Sequence, residues 1–154
     1  MTIQKILLPY NFTILDKKAI DFVSETFSHL EDVEIMLFHA YTPAPNIETP
    51  DTLVTGKLKS SMNFLTQKIM QQEHELEAIK KQLVINGFAT SRIHISFKPR
   101  KKDVASEILD FAAQQKIDVI VINHKPGKAT RFFTGSVFNK IVSTLKDTTV
   151  CIVS

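Results

Sequence analysis

Cys151 is the only cysteine, so the chain cannot close an internal disulfide, which points to a reducing cytoplasm. Glycine is scarce as well, at four residues. A backbone that wraps a phosphate usually needs several, yet the stretch from Val119 to Val137, VIVINHKPGKATRFFTGSV, carries only Gly127 and Gly135. No apolar run approaches the roughly 18 to 20 residues needed to span a bilayer. The apolar run in MTIQKILLPYNF is also too short for a secretory leader, so no membrane attachment is expected. Neither sign of charge dominates, with 19 Lys and Arg against 16 Asp and Glu. A net charge of +3 over the chain gives no ground for a nucleic-acid partner. A Walker loop, an HExxH helix and paired cysteines are all missing, which removes the commonest signatures of nucleotide hydrolysis and metal chemistry.

What remains is an ordinary globular composition, 44% hydrophobic and 23% charged in 154 residues, enough for one domain spanning residues 1–154. Lys5 to Tyr10, KILLPY, is a continuous apolar run of the kind buried on both faces of a parallel sheet. LDKKAIDFVSETFSHL then places Ala19, Ile20, Val23, Phe27 and Leu30 at helical spacing, with Asn11 or Thr13 available as its cap. A second buried strand follows at Val33 to Tyr41, and TPAPNIETPDTLVTG, with three prolines, reads as a loop.

A helix from about Lys57 to Asn86 lines up Leu58, Met62, Leu65, Ile69, Leu76, Ile79 and Leu83, and Gly87 supplies a stop. Its middle is polar on most faces. It therefore either packs over the sheet edge or projects beyond it as a contact for a second copy or another protein. SRIHISFKP alternates Ile93, Ile95 and Phe97 against Arg92, His94 and Ser96, the pattern of a half-exposed edge strand. KDVASEILDFAAQQ is a helix, DVIVIN a fourth strand, SVFNKIVSTL a fourth helix and TTVCIVS a fifth strand. Alternating strands and helices predict a doubly wound parallel sheet with right-handed crossovers. Ligands of such sheets bind beyond the carboxyl ends of the strands, which directs attention to the loops after Pro9, Ala40 and Asn123.

In order and spacing, KILLPYNFT, IMLFHAY, ASEILDFAAQQKIDVIVINH and FFTGSVFNKIVSTLKDTTVCIVS resemble a universal stress protein domain over essentially the whole chain. The resemblance implies an adenine nucleotide alpha hydrolase-like fold with strand order 3-2-1-4-5. It also implies a homodimer paired through the last strand, here Thr149 to Val153. Members that bind ATP carry G-x2-G-x9-G-[ST] after strand four. Counted back from Gly135 and Ser136, the glycine positions fall on Lys125 and Ile122, and Gly127 lies two residues out of register beside Pro126. The family's early aspartate, expected near the ribose, falls on Asn11, and the loop after strand three reads PRKKD where a glycine is common.

A Lys or Ile at a glycine position puts a side chain where phosphate oxygens would sit. Gly135 and Ser136 remain usable as free N–H groups and a hydroxyl at a helix start, an exposed arrangement worth only about 0.3–1 kcal/mol toward an anion. The loop reads as a degenerate phosphate site. The candidate nucleotide contacts are accordingly Pro9, Asn11, Ala40, His124, Gly127, Gly135, Ser136 and Val137.

Each has a plainer reading. Lys125, Lys128 and Arg131 can replace glycine amides with side-chain charge or form a solvated basic loop. Arg100 to Lys102 can extend a positive rim for an acidic ligand or partner, or be a solvated charge run. His124 stands at the ligand edge without a metal-spaced partner, and His39 reads as a satisfied core residue. Phe132 and Phe133 pack the loop, or mark a partner surface if exposed. Cys151 reads as buried and inert. Ser136 lacks a visible base, which leaves no catalytic residue to name. The expectation is a cytoplasmic, non-catalytic regulatory module with weakened or lost ATP binding and no cofactor. The alternatives are a module that binds ATP or AMP, with or without magnesium, and, less favoured, a nucleotide hydrolase.

Overall fold

The computed structural model describes residues 2–45, 53–124 and 135–154. The elements are β1 (Gln4–Pro9), α1 (Asp16–Phe27), β2 (Val33–Tyr41), α2 (Leu53–Ile85), β3 (Ile93–Pro99), α3 (Val104–Gln115), β4 (Val119–Asn123), α4 (Gly135–Thr144) and β5 (Thr149–Val153). All strand pairs are parallel, and the five strands lie in the order β3-β2-β1-β4-β5. The doubly wound architecture and its strand order are those expected from the sequence.

The apolar runs become central strands because helices cover both faces. Ile6, Leu8, Ile35 and Leu37 face one core with Ile20 and Val23 of α1 and Leu83 of α2. Leu7, Phe38, Ile120 and Ile122 face the other with Ile108 and Phe111 of α3 and Ile141 of α4. At one edge, β3 buries Ile93 and exposes His94, as its alternation predicts. At the other, Cys151 is half-buried rather than buried, because β5 has no strand beyond it in this sheet.

Helix α2 begins at Leu53, inside the stretch read as loop, and its two halves differ. Leu76 and Leu83 are fully buried, whereas Leu58 is 40% and Phe64 67% exposed. The carboxyl-terminal half packs on the sheet, and the amino-terminal half rises past the strand ends. Gly87 stops the helix with φ of 120°, a conformation that suits only glycine, while the Gly87 and Phe88 N–H groups donate to Val84 and Leu83 carbonyls. No helix among the described residues is long and apolar enough to cross a membrane.

Between β1 and β4 the ladder is short, with register pairs Ile6↔Val119 and Leu7↔Ile120. At its amino end the Lys5 N–H donates to Asp118 Oδ2 at 2.8 Å, and the Asp118 N–H donates to the Lys5 carbonyl at 2.9 Å. Beyond Leu7 the two strands run on without paired backbone. That opening is the crevice where the strand order reverses.

Candidate functional site

One side chain bridges the crevice. Asp16 opens α1 and is only 1% exposed. Its Oδ1 accepts from Asn123 Nδ2 at 2.7 Å, and its Oδ2 accepts from the Thr13 N–H at 2.8 Å. The Asn11 N–H donates to the same carboxylate at 3.2 Å. Neither Asn11 nor Thr13 caps α1, as the sequence had suggested: the cap position is Leu15, without a side-chain bond. The acceptor comes from inside the first helical turn and reaches back to the loop, since Asp16 can satisfy two loop N–H groups that a side chain within the loop would leave unpaired. Burial pushes the Asp16 pKa above its ordinary value, and the bonds from Thr13, Asn123 and Asn11 oppose that push.

Above this clasp, at the carboxyl ends of β1 and β2, lies a cavity of about 240 Å³. Its floor is Pro9, Asn11, Phe38 and Ala40, so Pro9, Asn11 and Ala40 of the expected contacts meet here. The rising half of α2 supplies a wall through Leu65, Lys68, Ile69 and Gln72, and Arg100 and Ile108 close the far side. The projecting part of α2 is therefore one side of a pocket.

His39 also lines this cavity. Its Nδ1 lies 2.7 Å from the Tyr10 carbonyl oxygen. A carbonyl can only accept, so Nδ1 carries the hydrogen and Nε2 of the neutral ring is left as an acceptor. Burial lowers the pKa of the ring, opposed by the bond to Tyr10, and keeps it neutral near pH 7. The rings of Phe12 and Phe97 flank it, with centroids at 4.7 and 6.0 Å. Phe12 is held at φ of 62° to do so, uncommon for a bulky residue. Tyr10 beside it is pushed up to about 12 by burial, then by the charges of Asp16 and Glu75. It is therefore an un-ionised phenol at neutral pH. His39 is hydrogen-bonded, as expected, but it is half-buried and lines the cavity, outside both core clusters.

His124 does not line the cavity. Its backbone N–H donates to the Val153 carbonyl at 2.8 Å, and its ring stacks on Phe138 at 4.8 Å, while Nδ1 is buried without a hydrogen-bond partner among the described residues. Gly135, Ser136 and Val137 form the first turn of α4, on the β4 flank of the crevice. Gly127, Lys125, Lys128, Arg131, Phe132 and Phe133 lie outside the described residues.

Ile122 corrects one part of the motif alignment. It sits in β4, fully buried in the core against α3 and α4, so its side chain cannot occupy a phosphate position. A spacing count could not see where the strand ended. The cavity-lining Lys68 and Gln72 were missed because they belong to a different stretch from the motif, whereas Arg100 is part of the run that reads as a positive rim. The only available signal was the position of Lys68 beside Ile69 on the apolar stripe of α2. No group of three or more His, Cys, Asp or Glu among the described residues is arranged to hold a metal ion.

A protein-family model, described as the universal stress protein family, matches residues 2–152. Among solved structures, the chain is similar to the universal stress protein from Archaeoglobus fulgidus in complex with dAMP. The two are 18% identical with a TM-score of 0.66, covering 100% of each chain. A universal stress protein family protein from Arabidopsis thaliana with AMP bound is 16% identical, with a TM-score of 0.61 over 97% of this chain and 90% of that one. A universal stress protein in complex with cAMP is 15% identical, with a TM-score of 0.60 over 100% of this chain and 98% of the other. No curated protein matches the sequence.

Proposed function

Because the chain belongs to the universal stress protein family, we propose that it is a non-catalytic regulatory module that binds an adenine mononucleotide in the cavity between β1, β2 and α2. The observation that carries this reading is the cavity itself, which persists at the strand ends although the glycines of the phosphate loop are missing. Its volume of about 240 Å³ is below the usual 300–1,000 Å³ of small-molecule pockets, which suits a mononucleotide better than an enclosed triphosphate. Phe38, Ala40, Leu65 and Ile108 offer apolar faces to a purine, and the neutral His39 Nε2 can accept from an exocyclic amine. Structures of the family with dAMP, cAMP and AMP support the ligand class. Hydrolysis lacks support, since no Asp or Glu among the described residues lines the cavity to serve as a base.

A thermal midpoint with AMP tests this reading. AMP at 100 times its Kd adds about 2.7 kcal/mol and raises the midpoint by about 5–10 °C for a chain of this size. Phosphate release from ATP with magnesium should stay at the buffer rate. A folded protein whose midpoint ignores millimolar AMP leaves the second reading, an interaction module without nucleotide.

The same proposal includes a homodimer through β5. Its outer edge carries no strand in this sheet, and Ile152 there is 47% exposed. Parallel-sheet edges of this kind pair readily with a second copy. Ile152→Asp should convert a dimer into a monomer in light scattering. A dimer that withstands the change is joined elsewhere.

A further inference from the structure

We infer that Lys68 and Arg100 form the anion anchor of this cavity, so that the phosphate of a bound mononucleotide lies on the β2–β3 flank and not at the amino end of α4. This inference rests on the cavity being the ligand site. Lys68 comes from the rising half of α2 and Arg100 from the residue after β3, and both line the cavity. Arg100 is fixed at its backbone, where its N–H donates to the Tyr41 carbonyl at 2.7 Å.

What separates these two cations from their neighbours is the lack of an acidic partner among the described residues. Lys98 pairs with Glu107 at 3.5 Å, Lys102 with Asp110 at 2.8 Å and Lys140 with Asp103 at 3.4 Å. Neither the Lys68 ammonium nor the Arg100 guanidinium has a carboxylate within ion-pair distance among the described residues. Among the described residues, no acidic one lines the cavity to compete for them. Two unpaired cations at the wall of a largely apolar pocket favour a ligand with an apolar ring body and an anionic group. Asn11, Thr42 and Gln72 supply neutral polar contacts between the two ends.

By strand order, Arg100 and the first turn of α4 stand on opposite flanks of the crevice. A phosphate held by Lys68 and Arg100 therefore does not need the glycines missing from the loop after β4. The loss of the motif and the survival of the cavity then have a common explanation. The phosphate contact has moved from backbone amides to side-chain charge.

Calorimetric titrations with AMP and with adenosine test the inference in the wild type, in Lys68→Ala/Arg100→Ala and in Gly135→Asp. The wild type and Gly135→Asp should prefer AMP to adenosine by about tenfold or more, and 0.5 M salt should shrink that preference. The double variant should bind both equally and keep the wild-type affinity for adenosine. Neither side chain has an ion-pair partner among the described residues, so its melting point should stay within about 2 °C of the wild type. A phosphate preference that survives in the double variant and disappears in Gly135→Asp overturns the inference. Pyrophosphate provides a probe that needs no adenine site. If neither AMP nor adenosine binds, the nucleotide reading falls by itself. A pyrophosphate-induced stabilisation lost only in the double variant then still supports the anchor, and its absence from the wild type sinks the anchor too.

Discussion

Leu83→Ala lowers the stability of this protein by about 3 kcal/mol, while Leu58→Ala changes it by no more than about 0.5 kcal/mol. The two leucines lie on the same helix and the same apolar stripe. Leu83 is fully buried among Ile6, Leu8, Val23 and Ile35, and shortening it leaves a cavity that the central strands cannot close. Leu58 is 40% exposed and has less burial to lose. Denaturant midpoints for the two variants, with the slope checked for constancy, give the comparison directly. Equal losses would show that the rising half of α2 is covered in solution, by a second copy or by a segment folding over it.

The second large effect belongs to Asp16. Asp16→Ala removes an acceptor shared by the Asn11 N–H, the Thr13 N–H and the Asn123 amide. Orphaned buried donors cost about 1–3 kcal/mol each. Relief of the cost of burying a charge offsets part of that, so a net loss of about 2–4 kcal/mol is expected. Asp16→Asn should lose less, because its amide oxygen can still accept from the Asn11 and Thr13 N–H groups while the Asn123 amide turns its oxygen toward the new NH2.

The effect depends on pH in a defined direction. The pKa of Asp16 is raised in the folded protein, so between the ordinary value of 3.8 and the raised one the folded state holds the extra proton. Stability from this group is present below 3.8 and is lost as the pH rises through the raised pKa. The difference in melting temperature between wild type and Asp16→Ala should therefore narrow as the pH climbs from 3.8. A gap that widens over that range would mean that the donors outweigh burial.

The limits of sequence reading show at the same residues. The strand at Val33–Tyr41 was legible to its ends, because a buried parallel strand is an apolar run with polar or proline boundaries. The stripe on α2 was legible as a helix face, but periodicity says only that residues share a face. It cannot say that Ile79 and Leu83 meet the sheet while Leu65 and Ile69 meet a cavity. In the sequence, Asp16 carries no signal beyond that of an acidic residue near a helix start. Its role exists only because β4 delivers Asn123 to it across 107 positions of chain. The same holds for Lys68 and Arg100, which become neighbours through the fold and share no motif.

The short ladder between β1 and β4 has a consequence for how the molecule is assembled. It is the pairing that joins the most distant parts of the chain: Lys5 meets Asp118 across 113 residues, whereas β1 meets β2 from Gln4 to Val33. Closing the longer loop costs about 1 kcal/mol more in chain entropy. Detaching β4 and β5 together would leave the β3-β2-β1 ladder and the β4-β5 ladder each intact. The crevice thus stands on the seam between two halves of the sheet, where Asp16 ties the loop after β1 to Asn123 of β4.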